Sequence, residues 1–202
     1  MHVASKFNSL SKLILSAALA ATITTQLTGC FGVVAGGAAA GGAIAADRRT
    51  SGIYVEDENI ELKAVKFMEI DLGENAHVNV TSYNRNVLLT GEVPDDAAKA
   101  KAEAAVKAIT NVRNITNELA VGPKTSISSR SNDTYLTSKI KTKFVTENSF
   151  PANYVKIVSE NSVVYLLGIV NKTEADAAAA IASNTDGVEK VVKVFEYIEY
   201  IE

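Results

Sequence analysis

The chain has 202 residues, 20 basic and 23 acidic, with a formal charge of −3, two His, one Cys and no Trp. That length allows one ordinary domain or two small ones. The slight acidity argues against a general nucleic-acid binder, and a single cysteine excludes a disulfide framework or a cysteine-based zinc site.

Residues 1–29 read as an export signal. Lys6 and Lys12 form a positive start, and Leu13 to Thr25 is an uncharged, mainly apolar run. The run is short for a bilayer span, which needs about 20 apolar residues. Leu27-Thr28-Gly29-Cys30 then resembles the bacterial lipobox, which implies that Cys30 is acylated and becomes the first mature residue. One alternative joins Leu13 to Ala46 into a single membrane segment, with glycines as helix-packing sites. Five of the sixteen residues from Phe31 to Ala46 are glycine, however, which favours a flexible tether over residues 30–54. Phe31, in the place where an Asp holds many lipoproteins at the inner membrane, points by the same resemblance to the outer membrane.

The remainder is one unit written twice. Val78–Ser82 parallels Val155–Ser159, and Val87–Val93 parallels Val164–Val170, both at an offset of 77. Alanine-rich stretches follow each pair, and each copy closes on a β-prone run, Ile115–Val121 and Val191–Ile201. Upstream, Ile60, Ala64 and Met68 match Leu136, Ile140 and Phe144 at helical spacing. Each copy therefore predicts helix, strand, strand, helix, strand. Polar turns are expected at Asn84-Arg85-Asn86 and Glu160-Asn161-Ser162, and helix starts at Pro94-Asp95-Asp96 and Lys172-Thr173-Glu174. Gly91 and Gly168, inside second strands, mark a bulge or a close backbone approach.

A strand, helix, strand connection crosses the sheet, so each copy is expected to be a mixed three-stranded αββαβ sandwich in the α+β class. Units this small are marginal alone, so the copies should pack together. The expected domains are 55–121 and 133–201, joined by a linker over 122–132. The V-x-V…V-x-L-x-G-like hairpins, the alanine-rich helices and the turns at Asn111-Val112 and Asp186-Gly187-Val188 resemble paired BON domains. With a lipobox and tether, the set is similar to the dual-BON outer-membrane lipoproteins.

No catalytic constellation emerges. His77, the one histidine beyond the signal, opens a strand and reads as structural, and no Gly-x-Ser-x-Gly elbow, phosphate loop, cofactor motif or metal motif is present. The first helices differ in charge instead. Ile53–Ala76 carries Glu56, Asp57, Glu58, Glu61, Glu69, Asp71 and Glu74 against Lys63 and Lys66, whereas Lys124–Thr146 carries four lysines and Arg130 against Asp133. On a helical wheel Leu136, Ile140 and Phe144 centre the core face, with Tyr135 and Lys139 on a neighbouring stripe, Lys143 between and Lys141 on the far side. An aromatic with a polar tip beside lysines suits a lipid headgroup region.

The family resemblance implies that this helix binds anionic phospholipid, phosphatidylglycerol or cardiolipin, through Tyr135, Leu136, Lys139, Ile140, Lys141 and Lys143. It also implies a role in envelope integrity, concentrated at division sites. The competing expectation is a lipid-anchored periplasmic adaptor whose basic helix docks an acidic protein partner of the envelope-assembly or peptidoglycan machinery.

Overall fold

The structure is a computed structural model and describes residues 47–199. The expected signal, Cys30, Phe31, the tether up to residue 46 and the end of the last expected strand lie outside the described residues.

The first repeat runs α1 (Ser51–Leu72), β1 (His77–Tyr83), β2 (Asn86–Val93), α2 (Asp96–Lys107), β3 (Asn114–Asn117) and β4 (Ala120–Val121). The second runs α3 (Ile127–Glu147), β5 (Val155–Glu160), β6 (Val163–Val170), α4 (Lys172–Ser183) and β7 (Lys190–Tyr197). Both sheets are mixed. β1 pairs antiparallel with β2, which carries β3 and β4 parallel on its other side; β5 pairs antiparallel with β6, and β6 parallel with β7. The expected run Ile115–Val121 is interrupted at Glu118-Leu119, where Leu119 turns into the core.

Two helices begin inside stretches expected to be tether and linker. Thr50 caps α1, its hydroxyl accepting the Ile53 N–H, and Ser126 caps α3 by accepting the Ser129 N–H. Asp95 caps α2, and Asn171 forms a reciprocal capping box with Glu174 on α4.

The i, i+4, i+8 stripes become the cores. Ile60, Ala64 and Met68 of α1 pack with Ala102 and Val106 of α2 on Val87, Leu89 and Val93. Ile140 and Phe144 of α3 pack with Ala175, Ala178 and Ala182 of α4 on Val164, Leu166 and Val170. Small side chains let α4 lie close to its sheet. The two glycines allow the close approach their position suggested: a Cβ at Gly91 would stand 2.0 Å from the His77 carbonyl oxygen, and one at Gly168 would stand 2.4 Å from that of Tyr154.

Strand alternation leaves each sheet a second face, and these faces meet. Tyr83 and Leu88 pack against Tyr165 and Leu167, bordered by Val158, Val163, Val192 and Val194. The repeats thus stack as helices, sheet, sheet, helices, and each buried leucine in the seam contributes about 1.5–3 kcal/mol.

One buried carboxylate in each repeat holds helix to hairpin. The turns Asn84-Arg85 and Asn161-Ser162 place all four residues at positive φ, between 49° and 64°, the two-residue geometry that matches strand twist. Asp57 accepts the Asn84 and Arg85 N–H groups at 2.8 and 2.7 Å, and Asp133 accepts those of Asn161 and Ser162 at 2.9 Å.

Candidate functional site

α3 separates its predicted site residues onto three surfaces. Leu136 and Ile140 are 1% and 0% exposed, which corrects their expected place among headgroup contacts: both are core side chains, fixed there by the same stripe that builds the domain. Lys139 and Lys143 lie on the flank next to α4. Lys139 donates to the Asp186 carbonyl and carboxylate at 3.2 and 3.3 Å, and Lys143 donates to the Asn184 carbonyl at 2.9 Å. Their charge is spent partly on closing the loop after α4. Tyr135, 62% exposed, and Lys141 remain on the solvent side, and Lys141 has no side-chain partner among the described residues.

The solvent face also contains residues outside the expected set. Ile127 and Val145 are exposed large apolar side chains, and Arg130, one turn after Ile127, lies on the flank bordering the cavity beside His77, one guanidinium nitrogen donating to the Thr125 carbonyl. Ile127, Thr134, Ser138, Lys141 and Val145 follow one another at spacings of seven, four, three and four, a single stripe on the helix. Extending the wheel beyond the stripe next to the core would have found them.

Hydroxyls line this face in a regular way. Ser131, Thr134, Ser138, Thr142 and Thr146 each donate to the carbonyl four residues earlier, at 2.9–3.0 Å. Their donors are satisfied within the helix, so the threonines present methyl groups and spare acceptor lone pairs. Ser138, Lys141, Thr142, Val145 and Thr146 line a shallow depression there. The arrangement offers an aromatic, two aliphatic side chains and two cations over a surface with few unmet polar donors.

Part of the acidic charge of α1 serves the fold. Asp57 is buried in its turn; Glu61 accepts the Ser82 N–H and the Lys156 ammonium; Glu56 accepts from Asn111; Asp71 pairs with Lys101. Four of the seven acids that distinguish this helix in the sequence are engaged in folding contacts.

Polar groups also pin the seam. Glu160, buried between the sheets, accepts the Asn79 amide at 2.7 Å and the Thr90 hydroxyl at 3.3 Å. Burial holds its carboxyl above the usual carboxylate range; the Asn79 hydrogen bond opposes that shift, and the nearby Glu92 adds to it. His77 lies at this edge, its Nε2 buried and without a hydrogen-bond partner among the described residues, beside a cavity of about 390 Å³ lined also by Asn79, Arg130, Asp133 and Ser159. At the other end, Glu196 accepts from Asn84 and Asn86.

The segment entering the first domain is fastened to the second. Arg48 pairs in bidentate fashion with Glu174 at 2.7 and 2.8 Å, donates to the Ile169 carbonyl and stacks on Tyr154. Arg49 bridges Asp47 and Asp57 and lies over Tyr83, whose phenol is pushed up to about 12 by burial and by Asp47. Among the described residues, no group of three or more His, Cys, Asp and Glu converges as a metal site, and no helix is long and apolar enough to cross a membrane.

These two duplicated sandwiches match known proteins along nearly all their length. The BON domain model fits residues 56–123 and again residues 132–199, and the chain belongs to the BON-domain family. It is 42% identical over 176 residues to the outer membrane lipoprotein DolP of Haemophilus influenzae, spanning 86% of this chain and 90% of that one. It is 36% identical over 148 residues to the 21 kDa hemolysin of Actinobacillus pleuropneumoniae, with 72% and 76% of the two chains aligned. Osmotically-inducible protein Y of Escherichia coli is 28% identical over 144 residues, 69% of this chain and 72% of that one. The chain is accordingly a DolP-like, dual-BON lipoprotein of the Gram-negative outer membrane, facing the periplasm.

Proposed function

We propose that this lipoprotein is non-catalytic and binds anionic phospholipid through the outward face of α3, with Tyr135, Lys141 and Arg130 as the principal contacts and Ile127 and Val145 seated at the headgroup boundary. The observation that carries the reading is the joining of exposed apolar side chains and cations on one face whose hydroxyl donors are already satisfied. Such a face loses little hydration on meeting an interface, while each cation near an anionic surface contributes about 1 kcal/mol. Lys139 and Lys143 add longer-range charge from the flank. In the same proposal Cys30 carries the acyl anchor, and contact with phosphatidylglycerol or cardiolipin is the route by which the protein supports envelope integrity and gathers at division sites.

The absence of tryptophan from the sequence provides a clean probe. Tyr135→Trp introduces a single indole, whose emission should shift to the blue with vesicles containing phosphatidylglycerol and stay unchanged with phosphatidylcholine alone. A Trp placed at Lys107, exposed on α2, should shift with neither. Equal behaviour of the two reporters would remove α3 as the contact. Salt-insensitive, lipid-independent emission together with capture of an acidic protein through Tyr135 and Lys141 would select the adaptor reading.

A further inference from the structure

We infer that the outer face of α1 is a self-association seam, in which two copies of this chain pair their α1 helices antiparallel about a twofold axis at Leu62. Of the ten large apolar side chains exposed among the described residues, five lie on this one helix: Val55, Leu62, Val65, Phe67 and Ile70. Val55, Leu62 and Ile70 are each more than half exposed and project away from the core stripe Ile60, Ala64 and Met68. An amphipathic helix of a monomer has no need of them there.

The charges on this face select the occupant. Most acids of α1 are engaged within the fold, and the four charges left without a side-chain partner among the described residues are Glu58 and Glu69 against Lys63 and Lys66. The face is therefore balanced, which fits neither a purely basic nor a purely acidic partner. It is self-complementary instead. Glu58 and Lys66 stand four residues on either side of Leu62, and Val55 and Ile70 stand seven before and eight after it. In an antiparallel pair, Leu62 meets Leu62 of the second copy, Val55 meets its Ile70, and Glu58 meets its Lys66. The twofold repeats the last two contacts, as an isologous interface requires.

One pair of helices buries less than the about 1,000 Å² expected of a stable dimer in free solution. Pairing is correspondingly weak in bulk, and anchoring to one membrane promotes it by raising the local concentration.

The test uses the full-length chain in its own membrane with Leu62→Cys and a short bismaleimide, the chain with Cys30 alone serving as the blank. Leu62→Cys should give a covalent dimer, whereas Lys107→Cys on α2 should not. Adding Glu58→Lys should lower the cross-linked fraction at least about fivefold, because both symmetry-related pairs become repulsive. Adding Lys66→Glu as well should restore it. All these positions are exposed, so loss of folding does not imitate loss of pairing. No dimer above the Lys107→Cys level would overturn the seam. A double charge swap that stays as low as Glu58→Lys would do the same.

Discussion

Replacing Asp133 with alanine tests how this small fold is held together. Asp133 lies on α3, and its two carboxylate oxygens accept the backbone N–H groups of Asn161 and Ser162, both at positive φ in the β5–β6 turn. A hydrogen bond to a charged acceptor contributes about 1.5–3 kcal/mol, so two would set an upper range of about 3–6 kcal/mol. The adjoining cavity of about 390 Å³ gives water a route to the freed N–H groups, which brings the expected cost of Asp133→Ala to about 2–4 kcal/mol. For a body of this size the midpoint of thermal unfolding should fall by about 5–15 °C, read by circular dichroism. Asp186→Ala, which alters a fully exposed carboxylate facing Lys139, should leave the midpoint within about 2 °C. If Asp133→Ala behaved like Asp186→Ala, the turn would not depend on this carboxylate and the reasoning would fail.

Other outcomes follow from the same contacts. Asp57→Ala should destabilise more than Asp133→Ala, because Asp57 also accepts the Ser82 hydroxyl and pairs with Arg49; the two melting curves decide. Gly91→Ala forces a Cβ to 2.0 Å from a backbone oxygen at a φ of 111°, and should cost about 2–4 kcal/mol in chemical denaturation. Glu160 titrates higher in the fold than in the unfolded chain, so its contribution is full below the ordinary carboxylate range and is lost as pH rises through its folded pKa. Glu160→Gln should therefore raise the melting midpoint at pH 7, with the gain shrinking towards pH 4; a gain that grew with acidity would reverse the sign. Arg48→Ala removes the bidentate pair with Glu174 and the stacking on Tyr154; it should lower stability by about 1–3 kcal/mol and speed proteolysis near residues 47–50.

The sequence disclosed most of the fold because duplication repeats every signal. Two copies of the same apolar stripe, hairpin and alanine-rich helix fix the element order, and Gly91 and Gly168 mark close approach because nothing larger fits. The paired aspartates escaped notice as two more charges. Their register was nevertheless visible, since Asp57 and Asp133 each precede the first core residue of their helix, Ile60 and Leu136, by three positions. The docking of sheet on sheet was harder to see, because Tyr83, Leu88, Tyr165 and Leu167 share their faces with polar Asn79, Thr90 and Glu160. For the α3 site a wheel gives the direction of each Cβ but not where a long lysine bends. That is why Lys139 and Lys143 fold onto the loop after α4, while Lys141, on the far side, has no side-chain partner among the described residues.

The central claim is contact between α3 and anionic lipid, and co-sedimentation of residues 47–202 with vesicles tests it most directly. Vesicles of phosphatidylcholine alone would be compared with vesicles enriched in phosphatidylglycerol or cardiolipin, each at low and moderate salt. Binding should require anionic lipid, weaken as salt screens the charges, and fall at least about tenfold in a variant carrying Arg130→Glu, Tyr135→Ala and Lys141→Glu. Binding that is unchanged in that variant, or absent from anionic vesicles at both salt concentrations, would contradict the account and leave the anchor as the membrane contact.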